Sequence, residues 1–202
     1  MPTRKPGREQ RRPAMEGHEH DNQTTPGETP RSALFEAVYD ELRSVSRGLM
    51  TRENPGHTLQ PTVLVHEAFL RLSQESSSRF NDETHFKAVA ATIMRRILID
   101  HARKRSASKR GGRRPVHLNN IETGNDQDGL LPEEILALDD ALHTLESHNP
   151  RQARVVELRY FGGLTFEQTA RAIGVSTNTA KNDWRFARAW LQRRLDGESL
   201  ER

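Results

Sequence analysis

The stretch from Leu164 to Leu195 constrains this chain more than any other. Thr165 can cap a short helix, and Gln168, three residues on, completes a capping box. Ala170, Gly174 and Ala180 then fall at i, i+4 and i+10. Two helices joined by a tight turn need this arrangement. A small residue lets the helices approach, a glycine takes the turn, and a small apolar residue seats the second helix. Ser176 stands where that second helix needs a cap. Beyond it, Ala180, Trp184, Ala187, Leu191 and Leu195 step as one buried stripe, while Asn178, Lys181, Asn182, Arg185 and Arg188 lie on the other side. A face of Asn, Lys and Arg at helical spacing can meet phosphates and base edges in a major groove. An ordinary helical hairpin with a solvated face is the plainer reading. The coincidence of caps, small residues and basic face favours DNA binding.

The remaining segments also read as helices. Thr29 and Pro30 can open one, with Leu34, Val38, Leu42, Val45 and Leu49 on a single face. Asn54-Pro55-Gly56 is a turn. A second helix spans about Pro61 to Gln74, with Val65, Phe69 and Leu72 inward and His66, Glu67, Arg71 and Gln74 elsewhere. Ser73 to Asp82 reads as a polar loop. A long helix follows from about Glu83 to Ser106, with Phe86, Val89, Ala90, Ile93, Ile97 and Leu98 on its core side. Gly111-Gly112 and Pro115 break it. Leu138, Leu142 and Leu145 mark another helix after Pro132. Asn149-Pro150 starts the next, which Gly162-Gly163 stops. No segment sustains strand alternation, so the fold class is all-α: two small helical domains joined by a flexible linker.

Charge is distributed unevenly. The formal net charge is +3. Yet residues 95–114 hold nine Lys/Arg against one acid, net +8, and residues 119–146 hold eight acids and no Lys/Arg, net −8. Residues 171–194 hold six bases and one acid, net +5. Two basic blocks flanking an acidic one suggest two contacts with a polyanion, separated by a segment that avoids it. The competing reading is a set of solvated helix faces. Phe80 and Phe86 are the aromatics near the first basic block, so base stacking there is open but not established by the sequence.

Several classes are excluded. With no cysteine, disulfides, thiol catalysis and Cys-based zinc sites are ruled out. No apolar run approaches the roughly 20 residues that span a bilayer, and no apolar segment follows the N-terminal charges as a secretory signal requires. The expected localisation is cytoplasmic, with no membrane contact. An enzyme using His66/Glu67 and Asp100/His101 is disfavoured. His66-Glu67 lacks a second histidine four residues after the first. Asp100 and His101 are adjacent on a helix and point about 100° apart. His18, Glu19, His20 and Asp21 lack the scaffold of a metal site. No cofactor, no metal and no catalytic residue are expected.

Three segments carry a family resemblance: LVHEAFLRL (64–72), HFKAVAATIMRRILIDHARKR (85–105) and LRYFGGLTFEQTARAIGVSTNTAKNDWRFARAWLQRRL (158–195). Together they resemble an extracytoplasmic-function sigma factor of bacterial RNA polymerase, over about residues 31 to 195. The likeness is strongest to the subfamily abundant in planctomycete-like bacteria, whose recognition helix also reads DW-x-FARAW. Residues 1–30, with five of the ten prolines and almost no large apolar side chain, read as a disordered tail, and 111–132, rich in Gly, Asn and Asp, as a linker. The resemblance implies a sigma-two domain over 31–110 and a sigma-four domain over 133–196, followed by a tail over 197–202. It implies an alternative sigma factor, not an enzyme, with core polymerase (β′ and β subunits), promoter DNA and an anti-sigma factor as partners. Position by position, His66, Glu67 and Arg71 match the core-binding helix. Arg95, Arg96, Asp100, His101 and Arg103, with Lys104 and Arg105 of the same run, match −10 contacts. Thr177, Asn178, Lys181, Asn182, Arg185 and Arg188 match −35 contacts. The linker of the family runs near the active-site channel, where an acidic segment would mimic a strand. A stand-alone helix-turn-helix regulator is the rival, and it leaves the basic helix at 95–110 unexplained.

Overall fold

The computed structural model describes residues 31–50, 59–74, 80–107 and 131–196. The tail over 1–30 with its His18–Asp21 cluster, the turn at 54–56, residues 75–79 of the polar loop, linker residues 111–130 and the tail over 197–202 lie outside the described residues. Those described form seven helices and no strand: α1 (Arg31–Met50), α2 (Pro61–Gln74), α3 (Glu83–Ser106), α4 (Pro132–His148), α5 (Pro150–Tyr160), α6 (Phe166–Ile173) and α7 (Thr177–Leu195).

Local chemistry sets the helix starts. Asp82 accepts the His85 N–H at 2.8 Å and opens α3. At α4 the Leu131 N–H donates to the Glu134 carboxylate at 2.8 Å, with Pro132 in the first turn. Asn149 accepts the Gln152 N–H at 3.2 Å and opens α5, again with Pro150 behind it.

The central element is α3. It packs against α1 and α2 on one side and against α4, α5 and α6 on another. Twelve of its residues are buried, among them Phe86, Ala90, Ala91, Met94, Ile97 and Ala102. That is more than one stripe, and two sets of neighbours account for it. The α1 face of Leu34, Val38, Leu42 and Leu49 and the α2 face of Leu64, Val65, Ala68 and Leu72 close over it in one direction. In the other, Leu138, Leu142 and Leu145 of α4 join Val155, Val156 and Leu158 of α5 and Trp184, Ala187 and Leu191 of α7. One apolar cluster runs through all of them. Each fully buried Leu or Phe contributes about 1.5–3 kcal/mol.

Buried charge marks the junction between the two sides. Lys87 of α3 is 1% exposed, and its ammonium reaches Glu41 of α1 and, at 3.3 Å, the Gln168 side-chain oxygen of α6. Buried ions persist only when paired in this way.

Candidate nucleic-acid interface

The α6–α7 pair is built from its turn outward. Thr165 Oγ1 accepts the Gln168 N–H at 3.1 Å, and Gln168 Oε1 accepts the Thr165 N–H at 2.9 Å, completing the capping box. Gly174 ends α6 in the left-handed region at φ 70°, where a Cβ would be strained. The Val175 N–H returns to the Ala170 carbonyl at 3.0 Å. Ser176 Oγ accepts the Thr179 N–H at 3.0 Å and starts α7. The Arg159 guanidinium lies over the Phe166 ring at 3.7 Å and donates to the Leu164 carbonyl at 2.9 Å, fixing the approach of α6.

Ala180, Trp184, Ala187 and Leu191 of α7 are buried, as the sequence stripe predicts. Asn178, Lys181 and Arg185 are exposed, and Thr177, Asn182 and Arg188 are half-buried at the edges of the same face. Phe186, which sequence reasoning did not single out, stands 57% exposed on this face, with the Arg185 guanidinium 5.3 Å from its ring. Asp183 points the other way. It is buried and paired with Arg151 of α5 at 2.6 and 3.1 Å. That pair holds the Arg151 guanidinium above its usual value, first through the hydrogen bond and then through the charge of Asp183. Glu167, in the first turn of α6, is held below the usual carboxylate range. Its backbone N–H is the main cause and the Thr165 hydroxyl the next, with Lys181 and Arg159 adding their charge.

A second basic surface lies at the C-terminal half of α3. Arg96, Asp100, Arg103 and Lys104 are exposed, and His101 and Arg105 are half-buried. Arg95 differs from them. It turns under α4, where its Nη2 and Nε reach Asp139 at 2.7 and 3.2 Å. Phe80 and Phe86 pack edge-on against each other at 5.0 Å and are buried, so neither ring faces an unpaired base.

The α2 candidates share a third surface. Arg71 pairs with Glu67 at 2.7 Å and reaches Asp100 of α3 at 3.5 Å. His66 stacks on Tyr39 of α1, with ring centroids 5.7 Å apart. Val63 and Leu70, 44% and 59% exposed, flank His66 on the outward side of α2. Of the carboxylate–histidine pairs weighed as catalytic, His66 is thus stacked on Tyr39, and Glu67 and Asp100 are ion-paired with Arg71. No cluster of three metal-ligating side chains occurs among the described residues.

A basic helix-turn-helix beside a second basic helix is the architecture of a DNA-binding protein. The "ECF sigma factor" family model matches residues 22–197, and the chain belongs to that family. It is similar to "ECF RNA polymerase sigma factor SigK" of Mycobacterium bovis (strain BCG / Pasteur 1173P2) and of Mycobacterium tuberculosis (strain ATCC 25177 / H37Ra). Each is 25% identical over 171 residues, 81% of this chain and 87% of the relative. No solved structure matches it significantly. The chain is an alternative sigma factor acting in transcription initiation by RNA polymerase. Sigma factors are DNA-binding regulators rather than enzymes. Members of this family bind core polymerase and promoter DNA and are often regulated by anti-sigma factors. No helix among the described residues is long and apolar enough to cross a membrane.

Proposed function

We propose that two units, 31–110 and 133–196, divide the work of initiation. In the first, α2 docks on the clamp of the β′ subunit through His66, Glu67 and Arg71. The exposed Val63 and Leu70 beside them support a partly apolar contact. The end of α3 meets the −10 element through Arg95, Arg96, Asp100, His101, Arg103, Lys104 and Arg105. In the second, α7 reads the −35 element as duplex through Thr177, Asn178, Lys181, Asn182, Arg185 and Arg188, near the β subunit. The planctomycete-type subfamily, action in the cytoplasm and control by an anti-sigma factor belong to the same reading.

The observation that carries it is the outward Asn178–Lys181–Arg185 face of α7 above a buried Ala180–Trp184–Ala187 stripe. The physics of the division is sound. Phosphate contacts position the protein and base edges specify the site. Unstacking a −10 base costs a few kcal/mol, which strand capture offsets. Linking the two modules raises effective concentration without demanding tight binding from either.

The test is genome-wide run-off transcription with purified protein and core polymerase. Initiation at a defined promoter set, with a shared −35 and −10 pair, is the expected result. No initiation at any promoter would sink the proposal. Tight promoter binding without polymerase would instead indicate a stand-alone regulator.

A further inference from the structure

Three large apolar side chains stand exposed among the described residues: Val63, Leu70 and Phe186. Val63 and Leu70 belong to the α2 surface already described. Phe186 belongs to α7 and is 57% exposed. Helix geometry gives its direction. At about 100° per residue it points about 160° from the buried Trp184 and only about 40° from Asn182. Ala189 and Arg193, both exposed, continue the same side toward the C-terminus. The acid of this helix, Asp183, is drawn inward to Arg151, so α7 turns no carboxylate outward beside the ring. Phe186 is thus an aromatic side chain set among Asn182, Arg185 and Arg193, with the Arg185 guanidinium 5.3 Å from the ring centroid.

We propose that Phe186 is a specificity-determining residue, whose ring packs on the C5-methyl of a thymine in the −35 element, at or beside the base pair that Arg185 contacts. The inference rests on the reading of α7 as the −35 helix. Base edges in a major groove offer donors, acceptors and a single kind of apolar group, the thymine methyl. An aromatic side chain among polar and cationic readers therefore has one complementary partner there. Its place along the helix agrees. Asn178, Lys181, Asn182, Arg185 and Phe186 all fall within residues 177–186, about 15 Å of helix at its N-terminal end, the part of a recognition helix that meets base edges. Arg185 and the ring lie against each other, so they enter the groove together. Successive base pairs are about 3.4 Å apart, which puts the methyl on the base pair of Arg185 or on its neighbour. A ring resting on deoxyribose or on a polymerase subunit gains nothing from that methyl, and this difference is measurable.

The experiment uses holoenzyme formed from the full chain and core polymerase, on the strongest promoter found by run-off. Each −35 thymine, on either strand, is replaced singly by deoxyuridine, which keeps the base pair and removes only the methyl. Initiation by the wild type should fall roughly three- to fivefold at one position, the scale of one buried methyl group. That position should coincide with, or adjoin, the one where Arg185→Ala relaxes selection. Phe186→Ala should initiate equally from the thymine and deoxyuridine templates at that position, and Phe186→Leu should keep part of the methyl dependence. Core affinity and helical circular dichroism should stay unchanged in both variants, because the side chain is exposed. A methyl effect that persists undiminished in Phe186→Ala, one that maps away from the Arg185 position, or a −35 element without an A·T pair would overturn the assignment. A wild type indifferent to every methyl would overturn it too, and weaker core binding by Phe186→Ala would then place the ring on polymerase. If base-pair changes across the −35 region leave initiation unaltered in the wild type and in Arg185→Ala alike, the −35 reading of α7 is what fails.

Discussion

Arg185 and Arg103 are both exposed cations on helices, yet they are expected to fail differently when removed. Arg185 stands on the outward face of α7, the face proposed to read the −35 element. Arg185→Ala should cost about 1–3 kcal/mol of discrimination at particular −35 sequences, because a bidentate base contact is lost. Core-polymerase affinity should stay unchanged. Competitive run-off on a −35 variant library, together with a core-binding titration, separates the two. Equal loss on all promoters and on core binding would show that Arg185 does not read sequence. Arg103 lies on the stretch of α3 assigned to the −10 element, where the expected contact is phosphate. Arg103→Ala should weaken open-complex formation on all promoters alike and flatten the log–log salt dependence by about 0.9. Permanganate footprinting across a salt series gives that slope.

At the scale of elements, the α6–α7 turn should respond to glycine substitution according to geometry. Gly174 has φ +70°, and a Cβ added there would meet no atom within 4 Å, so Gly174→Ala should cost about 1–2 kcal/mol of backbone strain alone. Gly163 has φ +64° and a Cβ there would meet Val45 Cγ2 at 2.3 Å, so Gly163→Ala should lose more. Urea unfolding of both variants ranks them, and the reverse order would refute the close approach. The Glu167 carboxylate stabilises α6 from the other end. Its folded value lies below the ordinary 4.5, so its contribution is complete above about pH 4.5 and is lost as pH falls through the folded value. Glu167→Gln should therefore flatten the acid limb of the stability curve, as melting temperature against pH would show. Helix bounds, caps and the buried stripe of α7 were legible in the sequence because they depend on neighbours one to four residues away. Gly162-Gly163 looked only like a stop signal, since nothing local reveals that Ala91 and Val45 press against it. Sequence reasoning singled out none of Lys87, Arg154 and Glu157, for the same reason. Arg95 matched the DNA-facing run, and only the three-dimensional partner shows the guanidinium turned onto Asp139. Charge arithmetic located the opposite blocks but not their pairing, which depends on how α4 is laid along α3.

For the whole molecule, α3 lends apolar surface to α1 and α2 and also to α4, α5 and α6, so the two sides share a core. Elements that share a core lose each other's burial on opening, and this couples their unfolding. The free chain should therefore melt in a single calorimetric transition, with van't Hoff and calorimetric enthalpies in agreement. Asp139→Arg places a cation against Arg95 inside a largely buried contact, where like charges are costly. The two sides should then part before either melts. Its thermogram should resolve into two transitions. The later one should be assigned to the α4–α7 side, where Arg151–Asp183 and the Arg159–Phe166 contact remain intact. High salt should move the native chain in the same direction but less far, because the Arg95–Asp139 pair is shielded from screening by its burial. A single transition retained by the folded Asp139→Arg variant would mean that apolar packing around Ala91 and Gly162, not the ion pair, holds the two sides together.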